Sequence, residues 1–170
     1  MQYLQKVCLL FVACSAVISD VSKGKIYNEL ILTGFFLGAV CQVMDQGVCG
    51  ILWFLGGLTA PVVLMWPLYY FRMIGAGDIK LFCSLGSILG IPGIFWCMFY
   101  SLLIGGGMAA VMVIKRGNLL KRLGYLKCYL ERMADRHGWE PYRKKEDRDG
   151  EFYFSGPVLI SVLFAIGGIY

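Results

Sequence analysis

The sequence predicts an all-α integral membrane protein: a single domain over residues 1–170, built as a bundle of six transmembrane helices with one cytoplasmic loop. Hydrophobic residues make up 58% of the 170 residues and the mean hydropathy is +0.67, whereas soluble domains are about 45–50% apolar. The apolar residues gather in runs close to the length that crosses a hydrocarbon core. These runs lack the two-residue alternation of barrel strands, so they are predicted to be helices.

Six apolar runs are predicted to span the membrane. They are Tyr3–Ser19, Glu29–Met44, Val48–Phe71, Ile79–Ile91, Gly93–Ile114 and Phe152–Tyr170. A cleaved signal peptide is the alternative for the first run, but that run lacks a clear small-x-small cleavage site. Glycines within the runs are expected to let the helices approach one another closely.

Basic residues are distributed unevenly between the connections. Of the 16 Lys and Arg residues, two belong to the first connection and eleven to the fifth, while Arg72 lies in the third connection with Lys80 nearby, which leaves only Lys6 for the other side. By the positive-inside rule, the basic side faces the cytoplasm and both termini lie outside. A multi-pass protein of the cell membrane is therefore expected.

The long polar region is the fifth connection, residues 115–151. Leucine and methionine recur from Leu119 to Met133 at steps of four and three, which predicts a helix. This helix either lies on the anionic inner leaflet, with membrane lipids as partners, or packs on the bundle, and the sequence favours neither. Because positive-inside charge accounts for the bases, no nucleic-acid partner is predicted.

The seven cysteines give no sign of a metal site. None is spaced C-x-x-C, so no zinc site is predicted. Six of them lie in or at the ends of apolar runs, where cysteine acts as a small packing residue. Neither a metal nor a cofactor is expected.

Two aspartates occupy matching positions. Asp20 ends the first run and Asp78, 58 residues later, begins the fourth, both on the predicted cytoplasmic side. The fourth run provides only about 21 Å of helix, so either Asp78 lies inside the membrane boundary or the far end stops short at Pro92. Ionisable groups at such a depth are costly and tend to be functional. Two carboxyls in a poorly hydrated site can share one proton and activate water.

The residues around Asp78 allow more than one interpretation. Gly75 and Gly77 would let a substrate backbone approach closely, and Lys80 is expected to point elsewhere on the helix. Taken alone, however, the Gly-Ala-Gly turn and Asp78 are more typical of a capped helix. The aspartates would also suit a small proton- or cation-coupled membrane transporter, and the basic loop would suit a scaffold.

Three segments carry a family resemblance. They are GAGDIKLFCSLGSILG (Gly75–Gly90), DVSKGKIYN (Asp20–Asn28) and FSGPVLIS (Phe154–Ser161). The first matches the second motif of the type IV prepilin peptidases, which are membrane aspartyl proteases with a Gly-x-Gly-Asp motif. The second resembles the family's first motif, with Tyr27 where proline is usual, and the third resembles its final span.

The resemblance implies an aspartic endopeptidase that removes a short basic leader from prepilins or prepilin-like proteins at the cytoplasmic membrane boundary, without a metal. Asp20 and Asp78 match the two catalytic positions. The other matching motif positions, where substrate would approach, are Gly75, Gly77, Lys80 and Asn28. Larger members carry a C-x-x-C insertion after the first span and methylate the new N-terminus. The same connection here is only a few residues long, so methyltransferase activity is not expected.

Overall fold

The computed structural model describes residues 3–70, 74–115 and 154–169, with side chains up to residue 112 in the middle range. The helices are α1 (Tyr3–Lys23), α2 (Asn28–Gln46), α3 (Gly50–Tyr70), α4 (Ala76–Lys115) and α5 (Ser155–Ile166), with a short 3-10 helix at Gly47–Cys49 between α2 and α3. These ranges contain no strand, so the all-α prediction is confirmed for them. Apart from Lys115, which ends α4, the predicted loop 115–151 lies outside the described residues.

The chain divides into two compact units. The first comprises Met1–Leu103 and Tyr153–Tyr170, and the second comprises Ile104–Phe152. The first unit holds the hydrophobic core, to which α1, α4 and α5 contribute most of the fully buried side chains. Of the second unit, the structure describes only residues 104–115, the end of α4.

Three helical stretches are long and apolar enough to cross a membrane. These are Tyr3–Lys23, Asn28–Tyr70 and Ala76–Met112, while Ser155–Ile166 is apolar but shorter. The second stretch comprises α2 and α3, which reverse direction at Gly47, where φ is +61°, and pack against each other. The predicted fourth and fifth spans correspond to two helical segments, together called α4, that meet at a kink at Gly90 rather than at Pro92–Gly93. The membrane character is supported, and the count of six spans stays a prediction.

The break in α4 leaves a carbonyl group that two other helices satisfy. Gly90 has a φ of +73°, and Pro92 has no N–H to donate to the carbonyl of Ile88, four residues earlier. The side-chain amides of Gln5 and Gln42 donate to that carbonyl at 2.7 and 3.0 Å. Both glutamines are buried. The carbonyl exposed by the break therefore finds its hydrogen-bond donors in α1 and α2.

The first half of α4 is enclosed by its neighbours, and residues 81–88 are all buried. A Cβ atom at Gly38 of α2 would collide with Ser87, and one at Gly57 of α3 would collide with the carbonyl of Gly86. These small residues allow the backbones to approach more closely than larger side chains would permit. The position of α4, and hence of its first turn, is set by this packing.

Helices α1 and α5 pack against each other. Near the start of α1, the Lys6 ammonium donates a hydrogen bond of 3.0 Å to the carbonyl of Ile166, the last residue of α5. A cation at this end of a helix is favourable because the final carbonyls carry partial negative charge. The start of α5 consequently lies toward the end of α1.

We expect the repair of the break to be cooperative. Gln5→Leu or Gln42→Leu alone should lower the free energy of unfolding by about 1 kcal/mol, because one donor still satisfies the Ile88 carbonyl. The double variant should lose about 1–3 kcal/mol more than the sum of the single losses, because the carbonyl is then buried without a partner. Unfolding in detergent measures this, with Gln46→Leu, an exposed residue of α2, as the matched control. Additive losses would contradict the proposed repair.

Candidate active site

Asp20 lies in the last turn of α1, immediately before a glycine-capped end. The backbone N–H of Gly24 donates to the carbonyl of Asp20 at 2.7 Å, and Gly24 has a φ of +61°. This conformation strongly favours glycine, and the hydrogen bond closes the helix end. Sequence reasoning did not single out Gly24, although a glycine directly after a helical run is a known stop signal.

Asp78 lies in the first turn of α4. The carbonyl of Gly75 accepts the first hydrogen bonds of the helix, from the N–H groups of Asp78 at 3.2 Å and Ile79 at 3.4 Å. In return, the backbone N–H of Gly75 hydrogen-bonds to the Asp78 carboxylate. A side chain at the third helical position that reaches back in this way forms half of a capping box. The carboxylate therefore has a defined orientation, and the helix-capping interpretation of Asp78 holds alongside any catalytic one.

The two motif glycines have different surroundings. A Cβ atom at Gly75 would lie 3.2 Å from Oδ2 of Asp78, which is tighter than an ordinary contact. At Gly77, the nearest atom would be Cδ1 of Ile26 at 3.9 Å, an ordinary van der Waals distance. A side chain at position 75 would therefore require the Asp78 carboxylate to shift by a few tenths of an ångström. The fold itself does not require glycine at position 77.

Asp20 lies at the C-terminal end of α1 and Asp78 at the N-terminal end of α4, close enough for the charge of Asp20 to act on Asp78. Both side chains are half-buried. Two different helices therefore bring their carboxyl groups to one part of the structure.

A serine that sequence reasoning missed contacts Asp20. The hydroxyl of Ser155, the first residue of α5, donates to Oδ2 of Asp20 at 2.6 Å. Ser155 is only 1% exposed. Its neighbour Phe154 packs edge-on against Phe82 of α4, with ring centroids 6.0 Å apart. The segment FSGPVLIS thus brings a polar partner to Asp20, and nothing in the sequence pattern assigned that partner.

Asn28 and Lys80 contact each other. The Lys80 ammonium donates to the side-chain oxygen of Asn28 at 2.9 Å, and this contact is exposed. Asn28 begins α2 and Lys80 lies in the second turn of α4. The prediction that Lys80 points away from Asp78 agrees with this contact, which joins the two motif segments.

Tyr27 adopts a backbone conformation that proline could also adopt. Its φ of −72° and ψ of 139° match the φ of about −65 ± 15° that a proline ring imposes. The ammonium of Lys23 lies 4.8 Å from the centroid of the Tyr27 ring, a favourable cation–π contact. Tyr27, in place of the proline that is usual in this motif, therefore leaves the backbone geometry of the connection unchanged.

A polar cavity of about 520 Å³ lies elsewhere, beside the Gly90 break. Gln42, Asp45 and Trp53 are among its lining residues, and none of the predicted site residues lines it. Within the described ranges, no group of three or more His, Cys, Asp or Glu side chains could hold a metal ion.

Comparison with known proteins identifies the family. Residues 7–110 match the model of the type IV leader peptidase family. The matched segment contains all six residues predicted for the site and ends before Ser155. No curated protein and no solved structure matches the chain.

We expect Gly24→Ala to destabilise the end of α1. A methyl group at a positive φ costs about 1–2 kcal/mol, so the free energy of unfolding in detergent should fall by that amount. Gly156→Ala is the matched control, because a Cβ atom there would meet no atom within 4 Å and alanine is the better helix former. Equal effects of the two substitutions would contradict this account of Gly24.

Proposed function

The chain belongs to the type IV leader peptidase family, and we propose that it is a membrane aspartic endopeptidase that removes the short basic leader from prepilins or prepilin-like proteins. The family match supports a protease of this kind. The observation that supports the aspartic assignment is the placement of two half-buried carboxyl groups, Asp20 at the end of α1 and Asp78 at the start of α4, near enough for the charge of Asp20 to act on Asp78. Membrane lipids are the other expected partners, and no nucleic acid is expected.

The proposed reaction uses the pair as base and acid. One carboxylate takes a proton from water, whose oxygen bonds to the scissile carbonyl carbon, while the other carboxyl gives its proton to the carbonyl oxygen. The carbon–nitrogen bond then breaks as the first carboxyl passes its proton to the leaving amine, and the second recovers a hydroxyl proton. No covalent bond to the enzyme forms, and both carboxyls return to their starting states.

The location of the pair supports cleavage near a membrane boundary. Asp20 lies in the last turn and Asp78 in the first turn of helices that are apolar enough to cross a membrane. The distribution of Lys and Arg favours the cytoplasmic side for this end, with both termini outside. A substrate whose leader precedes an apolar helix would present its cleavage site at that level.

Processing without methylation is the expected activity. The connection between α1 and α2 consists only of residues 24–27. A compact insertion with paired C-x-x-C motifs has no room in this connection. We therefore propose that the new N-terminus is released without methyl transfer by this chain.

We predict that each aspartate is essential. Asp20→Asn and Asp78→Asn should each lower leader cleavage of a co-expressed prepilin by about 10²–10⁴-fold, because the amide can neither take nor give the required proton. Immunoblots of the prepilin and of the membrane fraction measure cleavage and accumulation. The matched control is Asp45→Asn, the same chemical change in the last turn of α2. This variant should cleave the prepilin normally. Full cleavage by either catalytic-site variant would refute the role of that residue, and flux without proteolysis would favour the transporter.

We expect the two glycines to affect different kinetic constants. Gly75→Ala should lower kcat about tenfold or more, because its methyl group displaces the Asp78 carboxylate. Gly77→Ala should instead raise KM. The fold has room for the added methyl group, but the methyl group would obstruct a substrate backbone that lies against residue 77. Steady-state cleavage by the reconstituted protein separates the two effects. If Gly77→Ala left KM unchanged, Gly77 would not be a point of substrate approach.

A further inference from the structure

The hydrogen bond between Ser155 and Asp20 links residues 135 positions apart. Its length of 2.6 Å falls within the roughly 2.5–2.7 Å typical of a hydroxyl bonded to a carboxylate, where the charge strengthens the bond. Ser155 is almost fully buried, so water competes little for its hydroxyl. The contact is a defined interaction rather than a chance surface approach.

The packing around Ser155 fixes its hydroxyl relative to α1. Pro157, Val158 and Val162 of α5 are buried, and α5 packs along α1. At the other end of the same helix pair, Lys6 binds the carbonyl of Ile166. The α1–α5 pair is thus held by a hydrogen bond at each end. The start of α5, which carries partial positive charge, lies next to the Asp20 carboxylate.

The charged groups at this end of the described chain are few. They are Asp20 and Lys23 at the end of α1, Lys25 in the connection that follows, Glu29 at the start of α2, and Asp78 and Lys80 at the start of α4. Lys80 is bonded to Asn28 and Lys23 lies over Tyr27. The described part of α5 has no ionisable side chain. The hydroxyl of Ser155 is the hydrogen-bond donor that the structure gives to the Asp20 carboxylate.

We propose that Ser155 is a positioning residue of the protease, holding the Asp20 carboxyl in one orientation while that group gains and loses a proton. This inference rests on the proposed aspartic mechanism. A hydroxyl can donate to the ionised carboxylate and can accept from the protonated carboxyl, so the bond persists through both states. The N–H of Gly75, which bonds to Asp78, can only donate. Ser155 thereby gives Asp20 a partner suited to repeated proton transfer.

Removal of the hydroxyl should affect the chemical step more than substrate binding. Ser155→Ala should lower kcat about tenfold to a hundredfold with KM nearly unchanged, as expected for the loss of a hydrogen bond to a charged group. The pH–rate profile should also differ from that of the wild type, because a carboxyl group that gains and loses a proton in the proposed reaction has lost its hydrogen-bond partner. Ser155→Cys, similar in shape but a weak donor, should behave like Ser155→Ala. Ser155→Thr, which keeps the hydroxyl, should restore most of the rate and the original profile.

The matched control is Ser161→Ala on the same helix. Ser161 is also fully buried, and its hydroxyl donates to the carbonyl of Cys97 at 2.8 Å, two turns of α5 from Ser155. The two substitutions remove the same group from the same helix at equal burial. A purely structural role for Ser155 would therefore give two variants with the same thermal stability loss and the same pH profile.

The experiment uses the full-length protein in vesicles of phosphatidylethanolamine and phosphatidylglycerol, with a purified prepilin as substrate. A lower kcat and a changed pH–rate profile in Ser155→Ala and Ser155→Cys, with neither change in Ser161→Ala, would support the proposal. If the wild type cleaves and Ser155→Ala matches Ser161→Ala, the positioning role is wrong and the proposed function stands. If neither Ser155→Ala nor Ser155→Cys accumulates while Ser161→Ala does, Ser155 serves folding and the proposal is overturned. If the wild type leaves the prepilin intact, the proposed function fails, and the positioning role fails with it.

Discussion

The two hydrogen bonds to the Ile88 carbonyl hold together the three helices on which the candidate site depends. Gln5 comes from α1 and Gln42 from α2, and the carbonyl belongs to α4. The same three helices carry Asp20, Asn28 and Asp78 at their other end. Asp78 is ten residues from Ile88, or about 15 Å along the helix. The hydrogen bonds at Ile88 thus help to fix the distance between the Asp20 and Asp78 carboxyl groups at the other end. They can do so because the intervening part of α4 is close-packed on its neighbours.

Small residues make this arrangement possible. Inside a membrane, apolar side chains gain little by leaving lipid, so helices associate through close packing and internal hydrogen bonds. The contacts of Gly38 with Ser87 and of Gly57 with Gly86 bring backbones together, and the buried glutamines supply the hydrogen bonds. Rigid helices are a better support for two carboxyl groups than loops would be, because they hold the separation of the groups through each catalytic cycle.

Much of this site could be predicted from the sequence, and the part that could not was long-range. Asp20 and Asp78 were predicted from run ends, charge asymmetry and motif resemblance, all of which are local signals. Gly75 was predicted to give room to a substrate, whereas its closest contact is with Asp78 itself. Ser155 was missed because its role depends on how α5 packs against α1, which no spacing rule encodes. The break was predicted at Pro92 but lies at Gly90. The sequence alone does not show which residue before a proline leaves the helical conformation.

The contact between Ser155 and Asp20 also has a consequence for biosynthesis. Asp20 is synthesised near the beginning of the chain, and its partner is synthesised 135 residues later. Both aspartates and the other four residues predicted for the site are already present in a nascent chain that ends at residue 110. Such a chain lacks α5, so the Asp20 carboxylate has no serine donor. The site is therefore completed last, when the final helix packs against the first, and the order of translation separates membrane insertion of the motifs from assembly of the finished centre.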